Sequence, residues 1–226
     1  MNRLLAIARI MTQLTLVIGN KNYSSWSLRP WLAMKQAGLE FAEIRIALDT
    51  PTTYQEIRRY SPSGRVPVLL DGNLTIWESL AICEYIAEHF ASHLWPQDRA
   101  AKAMARSISA EIHTGFQALR ENMPMDCRAQ LCLLGMNPRL QADINRITAI
   151  WQECRNTFGS KGDFLFGDFT IADAMFAPVV SRFVTYDVKL DGETQAYVEA
   201  IWSLPAMQEW VEAASKETES IYYFNL

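Results

Sequence analysis

Several short stretches of the 226-residue chain carry side chains whose types and spacing suit chemistry. Tyr23-Ser24-Ser25-Trp26-Ser27 offers a cluster of hydroxyl donors. No Asp–His pair or GxSxG context surrounds it, which speaks against a nucleophilic serine hydrolase, and the glycines of a phosphate loop are missing. The serines either donate to a ligand or cap the helix that follows. Glu78-Ser79 opens an amphipathic run. A helix start presents N–H groups and positive dipole to a carboxylate, Ser79 adds a hydroxyl donor, and Glu78 can accept from an ammonium, so the pair suits an α-amino acid end. Ordinary capping fits the same residues. Val66-Pro67 stands between the polar turn Ser61-Pro-Ser-Gly64 and an apolar run. A proline heading a strand lies at a sheet edge or in a cis turn; Val66 then offers its backbone to an extended peptide ligand, or the proline merely turns the chain.

Other chemistry-bearing residues read as structural. Thr170-Ile-Ala-Asp173 is a capping box, with Asp173 expected to bond back to the Thr170 N–H. His89, His93 and His113 lack metal-like spacing and receive no role, and no metal is expected. Cys83, Cys127, Cys132 and Cys154 form no CxxC pair; all but Cys127 fall on the apolar side of a helical pattern, so reduced, mostly buried thiols are expected.

The elements that must position these groups fall into two textures. Leu14–Ile18 reads as a strand. A helix follows with Ser27 as a candidate cap, Pro30 in its first turn and Gly38 at its end. Phe41–Ile46 is a second strand and Thr53–Tyr60 a short helix. Val66–Leu70 and Leu74–Ile76 form a hairpin through Asp71-Gly72, and Glu78–Phe90 is an amphipathic helix. The order is βαβ, α, ββ, α. Residues 91–97 leave both periodicities and read as a linker. Beyond it, Met104 to Met123 and Leu140 to Phe158 step at three to four residues as two long helices, followed by helices over Thr170–Arg182 and Pro205–Ser215. The expected division is an extension at 1–10, a mixed α/β domain at 11–90, the linker at 91–97 and an all-helical domain at 98–226, with two modest cores sharing an interface. Composition agrees: 50% hydrophobic, 20% charged and a net charge of −4 describe a folded chain, exclude disorder and speak against nucleic acid. No apolar run spans a membrane, and a cytoplasmic location is expected.

Taken in order, Ser24-Ser-Trp-Ser-Leu-Arg29, Ser61-Pro-Ser-Gly-Arg-Val-Pro67-Val-Leu, Glu78-Ser79-Leu-Ala-Ile-Cys-Glu-Tyr-Ile86 and Gly167-Asp-Phe-Thr-Ile-Ala-Asp173 resemble the soluble glutathione transferase superfamily. The resemblance implies an α/β plus all-α fold, with a thioredoxin-like amino-terminal domain and an all-helical carboxyl-terminal domain, and a homodimer. It implies glutathione as co-substrate, a cis Pro67, Val66 paired with the cysteinyl part, Glu78 and Ser79 on the γ-glutamyl end and Arg65 near the glycyl carboxylate. The serine loop resembles the zeta class, with Trp26 where that class has cysteine. By that match Ser24 is the catalytic residue, with Tyr23 and Ser25 as neighbouring alternatives. No cysteine precedes Cys83, so a thiol-transferring, glutaredoxin-like activity is not expected.

Magnitudes agree with a donor role. A thiol of pKa about 8.5 becomes mostly thiolate at neutral pH after a drop of about two, worth roughly 2.7 kcal/mol. A hydrogen bond to a charged group supplies about 1.5–3 kcal/mol, and a helix N-terminus about 0.3–1 kcal/mol. The expected activity is attack of the glutathione thiolate on a small electrophile, of apolar character, in a pocket walled by Trp26, Phe116 and Met123. The alternatives are a zeta-type cis–trans isomerase of a dicarboxylate, drawing on Arg29 or Arg182, and a non-catalytic interaction module of the same fold.

Overall fold

The computed structural model describes residues 14–131 and 135–221. The expected extension at 1–10 and Cys132 lie outside the described residues. β1 (Leu14–Ile18) runs parallel to β2 (Phe41–Arg45), with Leu14 opposite Phe41, and antiparallel to β3 (Val68–Asp71), with Val17 opposite Val68. β4 (Leu74–Trp77) closes the hairpin, so the sheet order is β2-β1-β3-β4. Alternation along β1 divides its side chains between two layers. Leu14, Leu16 and Ile18 enter the main core; Val17 faces Ile46, Ile57 and Val68 beneath α2 (Thr53–Arg58).

α1 (Ser25–Gln36) ends as Gly38 predicts. Gly38 takes φ +68, its N–H bonds Lys35 O at 3.0 Å and the Leu39 N–H bonds Met34 O at 3.1 Å, a Schellman closure that a Cβ would strain. The helix starts earlier than expected. Ser24 is the N-cap, so Ser27 lies within the first turn and Pro30 in the second, where it removes the N–H that would reach the Trp26 carbonyl.

After α3 (Ser79–His89), residues 91–97 are packed rather than loose: Leu94 and Trp95 are buried, and the Trp95 indole donates to Glu84 at 2.9 Å. The first long helix expected beyond them is two. α4 (Arg99–Thr114) stops at Gly115, Phe116 turns to φ +61, and α5 (Gln117–Asn122) resumes. Arg120 reaches back across the break to the Ile112 and Gly115 carbonyls, at 2.5 and 3.1 Å, so the exposed end of α4 is satisfied by a side chain.

α6 (Pro138–Phe158), α7 (Ile171–Thr185) and α9 (Pro205–Ser215) follow the predicted pattern; α8 (Gly192–Trp202) is an addition. α7 crosses α1, and the Trp31 and Trp210 rings meet at 5.1 Å. The larger buried cluster therefore runs from the sheet through α1 and α3 into the helical half, and Val17, Ile46, Ile57 and Val68 form a smaller one. Among the described residues no helix is long and apolar enough to cross a membrane.

Candidate active site

The loop ahead of α1 is fixed by partners far along the chain. The Lys21 and Asn22 N–H groups donate to the Glu217 carboxylate at 2.7 and 3.1 Å, and the Trp210 indole donates to Lys21 O at 2.8 Å. Arg128 donates to the Tyr23 hydroxyl at 2.8 Å and to the Glu217 carbonyl at 2.5 Å. Ser24 is 6% exposed, and its hydroxyl donates to Ser27 Oγ at 2.8 Å, which also accepts the Gly19 N–H at 3.2 Å. The first turn of α1 holds no acidic side chain of its own.

A second wall comes from the hairpin. The Val66–Pro67 bond is cis, and β3 begins only at Val68, which leaves Val66 ahead of the ladder. Gly64 before it holds φ +68, and a Cβ there would meet the Tyr54 ring at 2.7 Å. Glu78, the N-cap of α3, has φ +78 and ψ 124, a conformation costing a non-glycine residue about 1–3 kcal/mol. Its side chain does not cap the helix; Oε2 lies 2.7 Å from His113 Nε2. Ser79 is 1% exposed, and its buried hydroxyl has no hydrogen-bond partner. Burying such a group unmet costs about 1–3 kcal/mol, a cost that a ligand group can remove.

Two adjoining cavities lie between these walls. One, of about 360 Å³, is lined by Tyr23, Ser24 and Ser25, by apolar Leu48, Ile57, Pro124 and Met125, and by Arg65, Arg120 and Arg182. The other, of about 400 Å³, is lined by Ser63, Pro67, Trp77 and Glu78. Trp26, Arg65 and Val66 border both. Trp26 is gripped by cations: Arg29 lies 4.3 Å and Arg120 4.8 Å from its ring, with His113 edge-on at 5.2 Å. Phe116 and Met123, expected as pocket walls, pack in the core instead; apolar helical spacing does not distinguish the two fates.

The first cavity is cationic. Arg65, Arg120 and Arg182 line it and, among the described residues, no Asp or Glu does; Arg120 donates to Ile112 O and Gly115 O, and Arg182 to Met123 O and Pro178 O at 2.7 and 3.0 Å. Arg29 is buried behind them, and burial, with Arg120 and Arg182 nearby, holds its pKa well below the ordinary value. Among the described residues the cysteines supply no nucleophile. Burial pushes Cys83 and Cys154 up to about 12 and Cys127 up to about 11, so all three stay protonated at neutral pH.

Sequence reasoning brings Ser24, Arg65, Val66, Pro67, Glu78 and Trp26 to these cavities, with Ser79 beside Glu78. It misses His113, Arg120, Arg128 and Glu217. The basic residue in the last turn of α4 was the available signal for His113, but nothing local pairs it with Glu78.

Residues 23–89 match the family model for the glutathione S-transferase N-terminal domain, and residues 137–213 the model for the C-terminal domain. The chain is 29% identical over 170 residues to maleylacetoacetate isomerase of Rattus norvegicus, covering 74% of this chain and 76% of that protein. It is 25% identical over 193 residues to glutathione S-transferase T1 of Arabidopsis thaliana, covering 81% and 76%. Among solved structures, a glutathione transferase homolog from Burkholderia with bound glutathione superposes with TM-score 0.68 at 26% identity, covering 91% of this chain and 99% of that one. Two family domains in sequence, on a mixed sheet followed by helices, place this chain in the glutathione S-transferase family.

Proposed function

We propose that the chain binds glutathione along the cis Val66–Pro67 turn and the start of α3, and activates its thiol for attack on a small electrophile in the cationic cavity. The observation that carries this reading is the buried, unpartnered Ser79 hydroxyl beside the strained Glu78. A γ-glutamyl carboxylate meets the Ser79 hydroxyl and the α3 N-terminus, and its ammonium meets Glu78. Val66 pairs its backbone with the cysteinyl part and Arg65 takes the glycyl carboxylate. Ser24 is the sulfur's donor: its hydroxyl turns from Ser27 to the thiolate, aided by the acid-free end of α1, with no covalent intermediate. Tyr23, whose hydroxyl accepts from Arg128 at 2.8 Å, is the neighbouring alternative.

The arginines lining the first cavity support a second reading of the co-substrate. Three guanidiniums without a lining carboxylate suit an electrophile that carries an acid group, beside apolar Leu48, Ile57 and Met125. Isomerisation of a small dicarboxylate then stands beside conjugation, in keeping with the name of the rat relative. Exposed Leu74, Trp77 and Phe90, on the edge strand and just beyond α3, support a homodimer.

Calorimetric titration of glutathione into wild type and Ser79→Ala tests the cradle. Wild type binds, and the variant binds about tenfold more weakly through loss of a hydrogen bond to a charged group. A wild type that takes no glutathione reduces the chain to an interaction module.

A further inference from the structure

Glu78 is held from the helical half of the molecule. Its side chain is 52% exposed at the cavity edge, and His113, in the last turn of α4, reaches Oε2 with Nε2 at 2.7 Å. On the far side of the ring, Nδ1 faces Arg29 Nη1 at 3.5 Å. A guanidinium only donates, so Nδ1 accepts and the ring proton belongs on Nε2, donated to Glu78. Burial lowers the imidazole pKa, Glu78 pulls against it, and Arg29 and Arg120 add to the lowering, which agrees with a neutral ring. Arg29 is itself enclosed: it is 1% exposed, approaches the Ile112 carbonyl at 3.5 Å and lies over the Trp26 ring.

This arrangement matters because Glu78 caps nothing in its own helix, and a half-exposed glutamate otherwise samples several rotamers. A neutral donor on one carboxylate oxygen fixes the side chain without cancelling its charge. A lysine or arginine in that place would compete with a ligand ammonium. We infer that His113 is a positioning residue for glutathione: its Nε2–H holds Glu78 Oε2 so that the remaining carboxylate capacity faces the γ-glutamyl ammonium. The inference rests on the proposed contact between Glu78 and that ammonium. It makes the cradle a product of both halves, with the α/β half supplying the carboxylate and α4 its orientation.

The test pairs two ligands, glutathione and its analogue lacking the γ-glutamyl amino group, with wild type, Glu78→Gln, His113→Leu and His113→Gln. Removing the donor in His113→Leu weakens glutathione about tenfold, leaves the already weak analogue within twofold of wild type, and raises KM for glutathione with little change in kcat. His113→Gln, which keeps an N–H donor, recovers most of the loss. If His113→Leu does not fold, His113→Asn, whose shorter amide falls short of Glu78, gives the same readout. Equal weakening of both ligands by the His113 variants, or no weakening of either, overturns the positioning role. The reading of Glu78 fails separately, if Glu78→Gln discriminates the two ligands as well as wild type does.

Discussion

Two helix starts in this molecule use the same chemical alphabet to opposite ends. At α7, Thr170 and Asp173 close the helix on itself. Asp173 Oδ2 accepts the Thr170 N–H and hydroxyl at 2.8 and 2.9 Å, and Oδ1 accepts the Leu165 N–H and the Tyr197 hydroxyl, both at 3.1 Å. At α3, Glu78 and Ser79 also bring a carboxylate and a hydroxyl, yet neither caps. The backbone of Glu78 is strained, its side chain turns to His113, and the Ser79 hydroxyl is buried without a partner. A helix end closed by its own side chains is architecture. One left open at a cost in stability is fitted for something outside the chain.

Breaking the closed end should destabilise the protein strongly. Asp173→Ala strands four buried donors and costs about 3–5 kcal/mol, read as a lower denaturant midpoint. Burial raises the Asp173 pKa from 3.8 to about 6 despite those donors. The folded chain therefore holds that proton more tightly than the unfolded one, and this contribution to stability is present below pH 4 and lost as pH rises through about 6. Asp173→Asn flattens that slope.

Altering the open end should do the reverse. Glu78→Gly relaxes the positive φ and stabilises by about 1 kcal/mol, and Ser79→Ala removes an unmet hydroxyl and leaves stability within about 1 kcal/mol. Both lose glutathione affinity. Thermal unfolding beside calorimetry reads the two trends; a Ser79→Ala variant that loses several kcal/mol of stability would make the α3 end structural like that of α7.

What the sequence discloses follows from range. The strands, the Gly38 closure and the Thr170–Asp173 box are legible because each depends on residues within a few positions. The α4–α5 break is not, since Met104 to Met123 keeps helical spacing across Gly115, and Arg120 supplies the missing bonds from beyond it. α8 escapes because its buried side chains, Thr194, Tyr197, Val198 and Ile201, make only a short apolar stripe. For the site, types were readable and partners were not. Ser24, Val66 and Glu78 stand out by motif, but the Glu217 carboxylate that fixes the serine loop lies 196 and 195 positions from the N–H groups it accepts. Trp26 and Arg65 are recognisable as walls, and the other two arginines of the cavity, Arg120 and Arg182, come from α5 and α7.

The central claim, a serine hydroxyl stabilising a bound thiolate, is tested most directly by titrating the thiol of glutathione on the protein through its thiolate ultraviolet absorbance, in wild type and Ser24→Ala at saturating glutathione. The account predicts a bound thiol about two below the ordinary value of about 8.5 in wild type, and a return of at least half that distance in the variant. The same depressed value in both proteins, with conjugation intact in Ser24→Ala, would contradict it.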